Sequence, residues 1–174
     1  MLLSATSLAA ALALLLAFTG CFTADAKLEA DGSGTIDLEY LPAQHATIES
    51  ETARFSSPHV TVRELVPRAV GAFLRATFDD VTKLSTAEGF SLVTVTRDRK
   101  HGEERLRIAL RNPTPKEVTE EKHAGPHISV TLPGRVLAAN HDAEMSGPRV
   151  SWRIPLRQYA ARPLIVLSVR YAIG

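Results

Sequence analysis

Cysteine is almost absent from this sequence, and its scarcity excludes two common ways of stabilising or equipping a small domain. Cys21 is the only cysteine among 174 residues. A single thiol cannot build an intrachain disulfide framework, and a thiolate zinc site needs several sulfurs. The chain is still long enough to bury a hydrophobic core without such cross-links. In an exported chain a leftover cysteine indicates intermolecular pairing, a reactive thiol or a modification.

Aromatic residues and net charge are also low, which argues against nucleic-acid binding. Phe, Trp and Tyr make up 6% of the sequence, so stacking platforms for bases are hard to build. The 20 Lys and Arg residues against 19 Asp and Glu leave a formal charge of +1, and the charges are interspersed. With 45% hydrophobic and 22% charged residues, the composition is that of one ordinary globular domain. No nucleic-acid partner is expected.

The sequence motifs that carry catalysis or bind phosphates and metals are missing too. There is no G-x-S-x-G, no Walker loop and no G-x-G-x-x-G, so we assign no catalytic residue and no cofactor. His123 and His127 have the spacing of metal ligands on a helix. Gly125 and Pro126 lie between them and interrupt such a helix, so we assign no metal site.

The first twenty residues contain no charged side chain and are followed directly by the cysteine. Residues 8–18 are nearly all Leu and Ala. A membrane-spanning helix needs about 20 predominantly apolar residues, so this shorter run better fits the hydrophobic region of a secretory signal. Phe18, Thr19, Gly20 and Cys21 together resemble the lipobox of bacterial lipoproteins.

The lipobox resemblance implies a covalent lipid on the cysteine. In such proteins the Cys21 thiol would receive a diacylglyceryl group, and cleavage before it would make it the first residue of the mature chain. Residues 1–20 are therefore expected to be a lipoprotein signal peptide and residues 21–174 a single β-rich envelope domain. The alternative is an ordinary signal peptide or a signal anchor with an incidental cysteine.

Alternating apolar and polar residues predict hairpins. Between Ala24 and Tyr40 this alternation flanks the turn sequence DGSG at residues 31–34. Residues 90–110 predict a second hairpin, whose charged tip we interpret as a solvated end rather than an anion site. Further strands are predicted around residues 127–140 and from residue 149 to the end, and the chain stops directly after the last of them, so the lipid is expected to be the only anchor.

Residues 42–78 are harder to assign. The first part, residues 42–58, is polar and predicts a loop with room for a short helix. The second part fits either a helical stripe or a strand; because Pro67 and Gly71 interrupt a helix, we favour a strand over residues 68–78.

The total is an α+β domain with a mostly antiparallel, curved sheet. About seven or eight strands are expected, mainly in hairpins, with one or two short helices on one face. Asp79 or Asp80 is expected to cap one such helix, which ends at Gly89, rather than to act in a carboxylate pair.

One stretch near the C-terminus resembles a family of bacterial envelope proteins. In ISVTLPGRVLAANHDAEMSGPRVSW, the residues Pro133, Gly134, Asn140, Gly147 and Trp152 are similar to the pattern of the LppM-like lipoproteins, as are the first hairpin and the FDD element. We interpret these residues as structural: a bend, a polar reversal and a core tryptophan. The resemblance implies an exported, lipid-anchored domain of the cell envelope, and lipid or glycolipid binding has been proposed within the family.

Three functions stay open at this point. A non-catalytic module that binds a lipid or another apolar ligand predicts an elongated apolar cavity between sheet and helix. A structural or assembly accessory for another envelope protein predicts an exposed apolar patch or a free sheet edge. A hydrolytic enzyme, the least favoured, predicts polar groups that converge in a cleft. The membrane, reached through the lipid on Cys21, is the expected partner in each case.

Overall fold

The structure of the chain, a computed structural model, describes residues 22–118 and 125–173. In this part of the chain, eleven strands account for most of the residues. The strands are β1 Thr23–Leu28, β2 Gly34–Tyr40, β3 Val60–Pro67, β4 Ala72–Phe78, β5 Val93–Lys100, β6 Glu103–Arg111, β7 His127–Thr131, β8 Val136–Ala139, β9 Glu144–Ser146, β10 Arg149–Arg153 and β11 Leu164–Ala172. The helices are α1 Ile48–Phe55, α2 Leu156–Ala161 and the 3₁₀ turns Val81–Thr86 and Glu88–Phe90.

The described strands form two sheets. The larger has the order β3-β4-β2-β1-β7-β10-β9 and the smaller the order β5-β6-β11-β8. All pairings are antiparallel except that of β1 with β7, where Thr23 lies opposite His127. The α+β class and the mostly antiparallel pairing predicted from the sequence are confirmed. The strands are divided between two sheets, however, and number eleven in the described residues rather than seven or eight.

The two sheets enclose one hydrophobic core. Successive side chains of a strand point to opposite faces, so every second residue of each central strand is buried. Ile36, Leu38 and Tyr40 face inward from β2, and Glu39 between them is exposed. Leu74 of the larger sheet and Leu167 of the smaller sheet are 0% exposed. Burial of such a side chain contributes about 1.5–3 kcal/mol, which makes this core the main source of stability.

The first hairpin forms as its sequence predicts. The backbone N–H groups of Glu29 and Gly32 donate to Ser33 O and Glu29 O, and Asp31 Oδ1 accepts from Ser33 N at 2.9 Å. Gly32 has φ +98°, a left-handed conformation that other residues rarely adopt. The turn chemistry therefore fixes the register of β1 against β2.

Residues 60–78 form a hairpin of two strands rather than one strand over residues 68–78. β4 starts at Ala72, and Arg68 N donates to Gly71 O at 3.0 Å across the turn that precedes it. The register of β3 against β4 shifts between Val62 and Glu64. This irregularity breaks the alternation of apolar and polar residues by which a strand is recognised in a sequence, so β3 cannot be predicted from that alternation.

Helix capping also follows the prediction in part. Asp80 Oδ1 accepts from Thr82 N at 2.9 Å and so caps a turn at Val81–Thr86, which is 3₁₀ rather than α-helical. Asp79 instead lies 3.0 Å from His59 Nδ1, so the two aspartates do not form a carboxylate pair. Helix α1 occupies the predicted loop and is capped by Thr47, whose side chain accepts from Ser50 N.

The three tyrosines of the chain are all buried, which predicts an alkaline unfolding transition. Burial raises the pKa of Tyr40, Tyr159 and Tyr171, for Tyr171 to about 12, with Glu104 adding to the shift. A raised pKa means that the folded state resists ionisation, so stability holds below about pH 10, the pKa of an exposed tyrosine, and falls as the pH rises beyond it.

We therefore expect tyrosinate absorbance to appear in a cooperative step, together with loss of the circular dichroism of the sheets. The urea-unfolded chain serves as the control, because its tyrosines should titrate gradually near pH 10. Gradual native-state titration with intact circular dichroism would contradict the burial of these hydroxyls.

Candidate functional site

An apolar gap lies between the two sheets, with a cavity volume of about 70 Å³. Side chains from both sheets and from the 3₁₀ turns line it: Phe22, Ala24, Ala26, Leu28, Ile36, Leu38, Phe78, Val81, Leu84, Phe90, Val93, Val95, Leu106, Ile108, Leu110, Ile128, Ser129 and Val130. The gap follows the whole length of β1. It extends to Phe22, the first described residue.

The lining of the gap is almost wholly apolar and buried in the hydrophobic core. Ser129 is the one polar residue in the lining, and its Oγ lies 2.8 Å from Ser151 Oγ. With its only hydroxyl already bonded, the gap can attract a ligand through hydrophobic contact alone.

The size of the gap limits what it can hold in this conformation. A dry apolar cavity of about 150 Å³ takes up benzene, and sites for drug-sized ligands measure about 300–1,000 Å³. At about 70 Å³ the gap admits only a few carbon atoms. A longer chain requires the sheets or the half-buried Ala26 and Val93 to move.

A second concavity, of about 440 Å³, is polar and wide open to solvent. It lies where the β5–β6 hairpin meets the β1–β2 turn. The residues that line it are Ala30, Asp31, Asp80, Thr82, Arg97, Arg99 and Glu104. We call it the charged groove.

Glu104 lies buried under the charged groove and holds its two arginines in place. Its carboxylate is 1% exposed and accepts hydrogen bonds from Arg97 Nε and, at 2.9 Å, from Arg99 Nη2. Both guanidinium groups also donate to Ala30 O, at 3.1 Å and 3.3 Å. The cluster therefore ties the smaller sheet to the β1–β2 turn of the larger one.

The charges of the groove satisfy one another. Burial acts to raise the pKa of Glu104, but the hydrogen bonds from Arg97 and Arg99 and the charge of Arg97 outweigh it, so that pKa is lowered. The hydrogen bond to Glu104 raises the pKa of Arg97. The hairpin end that we interpreted as solvated is thus solvated only in part, because Arg97 and Glu104 are held inside. Through these bonds the two arginines and Glu104 clamp the β5–β6 hairpin to the β1–β2 turn.

Two of the five residues that carry the sequence resemblance, Asn140 and Trp152, connect the two sheets. Trp152, on β10 of the larger sheet, is 1% exposed and donates its indole N–H to Asn140 O at 2.8 Å. Asn140 follows β8 of the smaller sheet. Its side chain bonds Ser168 N at 2.7 Å and Val166 O at 2.8 Å on β11. The spacing of Asn140 and Trp152 in the sequence therefore reflects a structural contact.

The other three residues shape the chain around this connection. A Cβ on Gly134 would stand 1.7 Å from Ala172 O, so the β11 backbone passes too close for any side chain there. Pro133 precedes this approach and cannot donate a backbone hydrogen bond. Gly147 has φ +58° in the turn between β9 and β10. Asn140, Trp152, Gly134 and Gly147 thus take part in contacts or turns of the fold, and none of the five residues lines the apolar gap.

Several sequence candidates lie outside the described residues: Phe18, Thr19, Gly20, Cys21 and His123. Across residues 22–118 and 125–173, no three His, Asp or Glu side chains are placed to share a metal ion. No helix in these ranges is both long enough and apolar enough to cross a membrane.

Comparison with known proteins identifies the fold. No family model and no curated protein matches the sequence. Among solved structures, the folded domain of LppM from Mycobacterium tuberculosis is similar, with a TM-score of 0.58 and 16% sequence identity. The match covers 91% of this chain and 92% of that domain. The chain therefore has an LppM-like fold.

Proposed function

We propose that this chain is a cell-envelope lipoprotein, tethered through Cys21, that binds the apolar part of a lipid between its two sheets. The observation that carries the binding proposal is the apolar gap, which lies between the two sheets and is lined by 17 apolar side chains and one serine. Such a lining favours hydrocarbon and offers no group for catalysis. The LppM-like fold supports the envelope location. The sequence resemblance to the LppM-like lipoproteins implies an exported envelope protein, and the structural similarity to LppM extends over nearly the full length of this chain.

The binding mode follows from the volume of the gap. A cavity of about 70 Å³ takes the end of an acyl chain, and the rest of the chain enters only as Ala26 and Val93 give way. Opening the gap costs packing contacts, which the buried hydrocarbon offsets at about 0.8 kcal/mol for each CH₂. Affinity is therefore expected to rise with the number of methylene groups that enter.

The test starts from the full chain, extracted from bacterial membranes in detergent. Mass spectrometry of its N-terminal peptide shows whether Cys21 carries acyl chains. Extraction into organic solvent measures how much lipid copurifies. Ala26→Leu places three more carbon atoms in the gap. We expect this variant to keep its acylated Cys21 but to retain about tenfold less lipid, which corresponds to about 1.4 kcal/mol of binding free energy.

The matched control is Ala138→Leu, the same change at an exposed position on β8. It should retain as much lipid as the original chain. If Ala26→Leu raises the thermal unfolding temperature and leaves the copurified lipid unchanged, the gap is a packing defect and the binding proposal is wrong. An unmodified Cys21 in a processed chain would instead overturn the tether.

A further inference from the structure

One end of the larger sheet exposes apolar side chains where a soluble surface would be polar. Val70, in the turn between β3 and β4, is 83% exposed, and Leu41, just after β2, is 54% exposed. The two lie together, because Leu41 Cδ2 is 3.5 Å from the position that a Cβ on Gly71 would occupy. We call Leu41 and residues 68–71 the apolar tip.

The strand register places the apolar tip at the end where the chain enters the domain. Tyr40 lies opposite Ala72, and Ala72 lies opposite Pro67, so the end of β2 and the β3–β4 turn share one edge. Thr23 lies opposite Glu39 on that same edge. Neighbouring strands are about 4.8 Å apart, so one to three strand spacings separate Thr23 from the residues of the tip, or roughly 5–15 Å.

The first described residue is fixed to the domain and leaves no room for a flexible linker after Cys21. Phe22 is 7% exposed, its O accepts from His127 N at 2.9 Å, and its ring lies 6.3 Å from that of Tyr159. One residue spans at most about 3.6 Å. Acyl chains on Cys21 would therefore enter a bilayer directly beside this edge, and the edge must lie against the headgroups.

Cations surround the same end of the domain. Arg153 on β10 lies opposite His127, which in turn lies opposite Thr23. Helix α2 follows at once and packs against Phe22 through Tyr159. The exposed cations at this end are Arg68, Lys116, Arg153, Arg157 and Arg162. The carboxylates Glu39, Glu49 and Glu117 lie there too, so the described residues of this end carry more positive than negative charge.

We propose that this end of the domain rests on the surface of an anionic bilayer, with Val70 and Leu41 inserted among the headgroups. The proposal rests on the lipid tether of the preceding subsection and adds the orientation of the domain. Apolar side chains flanked by arginines suit an interface that is apolar within and negatively charged outside. In this orientation Phe22, at one end of the apolar gap, lies next to the membrane, so a lipid can pass from the bilayer to the gap without crossing water.

The experiment places a fluorophore at either end of the full, acylated chain. Val70→Cys adds a thiol at the tip, and Cys21 does not compete for the label because its sulfur is acylated. Lys100→Cys is the matched control at the far end of β5, about 25 Å along the strands and likewise exposed. Each labelled protein is reconstituted into phosphatidylglycerol vesicles that carry a quencher at headgroup depth.

We expect the label at position 70 to lose at least about half of its emission and the label at position 100 to be unaffected, since insertion reaches only about 5–10 Å into the headgroup region. Arg153→Glu combined with Arg157→Glu should reduce quenching at position 70. The mass of the N-terminal peptide distinguishes a failure of the lipid tether from a failure of the proposed orientation. A chain without acyl groups overturns the tether and this inference together. An acylated chain that floats with vesicles but shows no quenching at position 70, or equal quenching at both positions, overturns the orientation alone.

Discussion

Replacing Trp152 with alanine is expected to lower the free energy of unfolding by about 3–5 kcal/mol, the range observed when a large core aromatic is truncated. Trp152 is 1% exposed, and its indole supplies both volume on the larger sheet and a hydrogen bond to Asn140 O at 2.8 Å. Alanine removes the ring, leaves a cavity and deprives the smaller sheet of this contact. Because Trp152 is the only tryptophan, urea unfolding should be followed by circular dichroism rather than fluorescence.

The control, Trp152→Phe, separates the ring from the hydrogen bond. Phenylalanine keeps most of the buried surface but leaves Asn140 O without its donor, at a cost of about 1–3 kcal/mol. The variant should therefore fall between the original chain and Trp152→Ala. Equal losses in the two variants would assign the whole effect to the hydrogen bond. A loss below about 1 kcal/mol in Trp152→Ala would contradict its role in joining the sheets.

The hairpins could be predicted from the sequence because their information is local. In β1–β2, apolar residues alternate on both sides of DGSG, and both the turn and the inward faces follow from that pattern. The β5–β6 hairpin is equally local. Strand β3 cannot be recognised in this way, because its register shifts between Val62 and Glu64, which moves the later residues to the opposite face and breaks the alternation.

The arrangement of the hairpins into two sheets could not be predicted in this way. Strand β1 pairs with β7 about a hundred residues later, in parallel, and β11 inserts between β6 and β8. These pairings are settled by how the whole set of apolar faces can be buried together, and no short window of sequence contains that information. The apolar gap has the same origin, since it is the space left where two non-local faces do not fill the interior.

The buried carboxylate of the charged groove, by contrast, could be predicted from the sequence pattern. Glu104 has the same parity as Leu106, Ile108 and Leu110 on β6, so alternation alone points its side chain inward. A carboxylate on a buried face requires a partner, and Arg97 on the facing strand supplies one. The many charged residues around the hairpin end nevertheless favour a solvated segment when the sequence is considered alone.

Glu104→Gln is expected to lower the free energy of unfolding by about 2–3 kcal/mol. Removing one partner of a buried ion pair costs about 3–5 kcal/mol. The expected loss is smaller than that here, because Arg99 is 54% exposed and can turn towards water. Arg97 is only 16% exposed and loses the acceptor that holds it against Ala30 O. The variant should therefore also loosen the β1–β2 turn, which hydrogen exchange at Gly32 and Ser33 would report.

Acid titration identifies the charge as the cause. The pKa of Glu104 is lowered in the folded state, so its contribution is complete above the unfolded value of about 4.3 and is lost as the pH falls through the folded value. The stability difference between the original chain and Glu104→Gln should thus be full at neutral pH and shrink below about pH 4. The adjacent Glu103→Gln is the matched control: Glu103 is 43% exposed, pairs with Arg170 at 3.3 Å, and should change stability by less than about 1 kcal/mol. If the Glu104→Gln difference stays constant down to acid pH, the loss comes from packing and the clamp does not depend on charge.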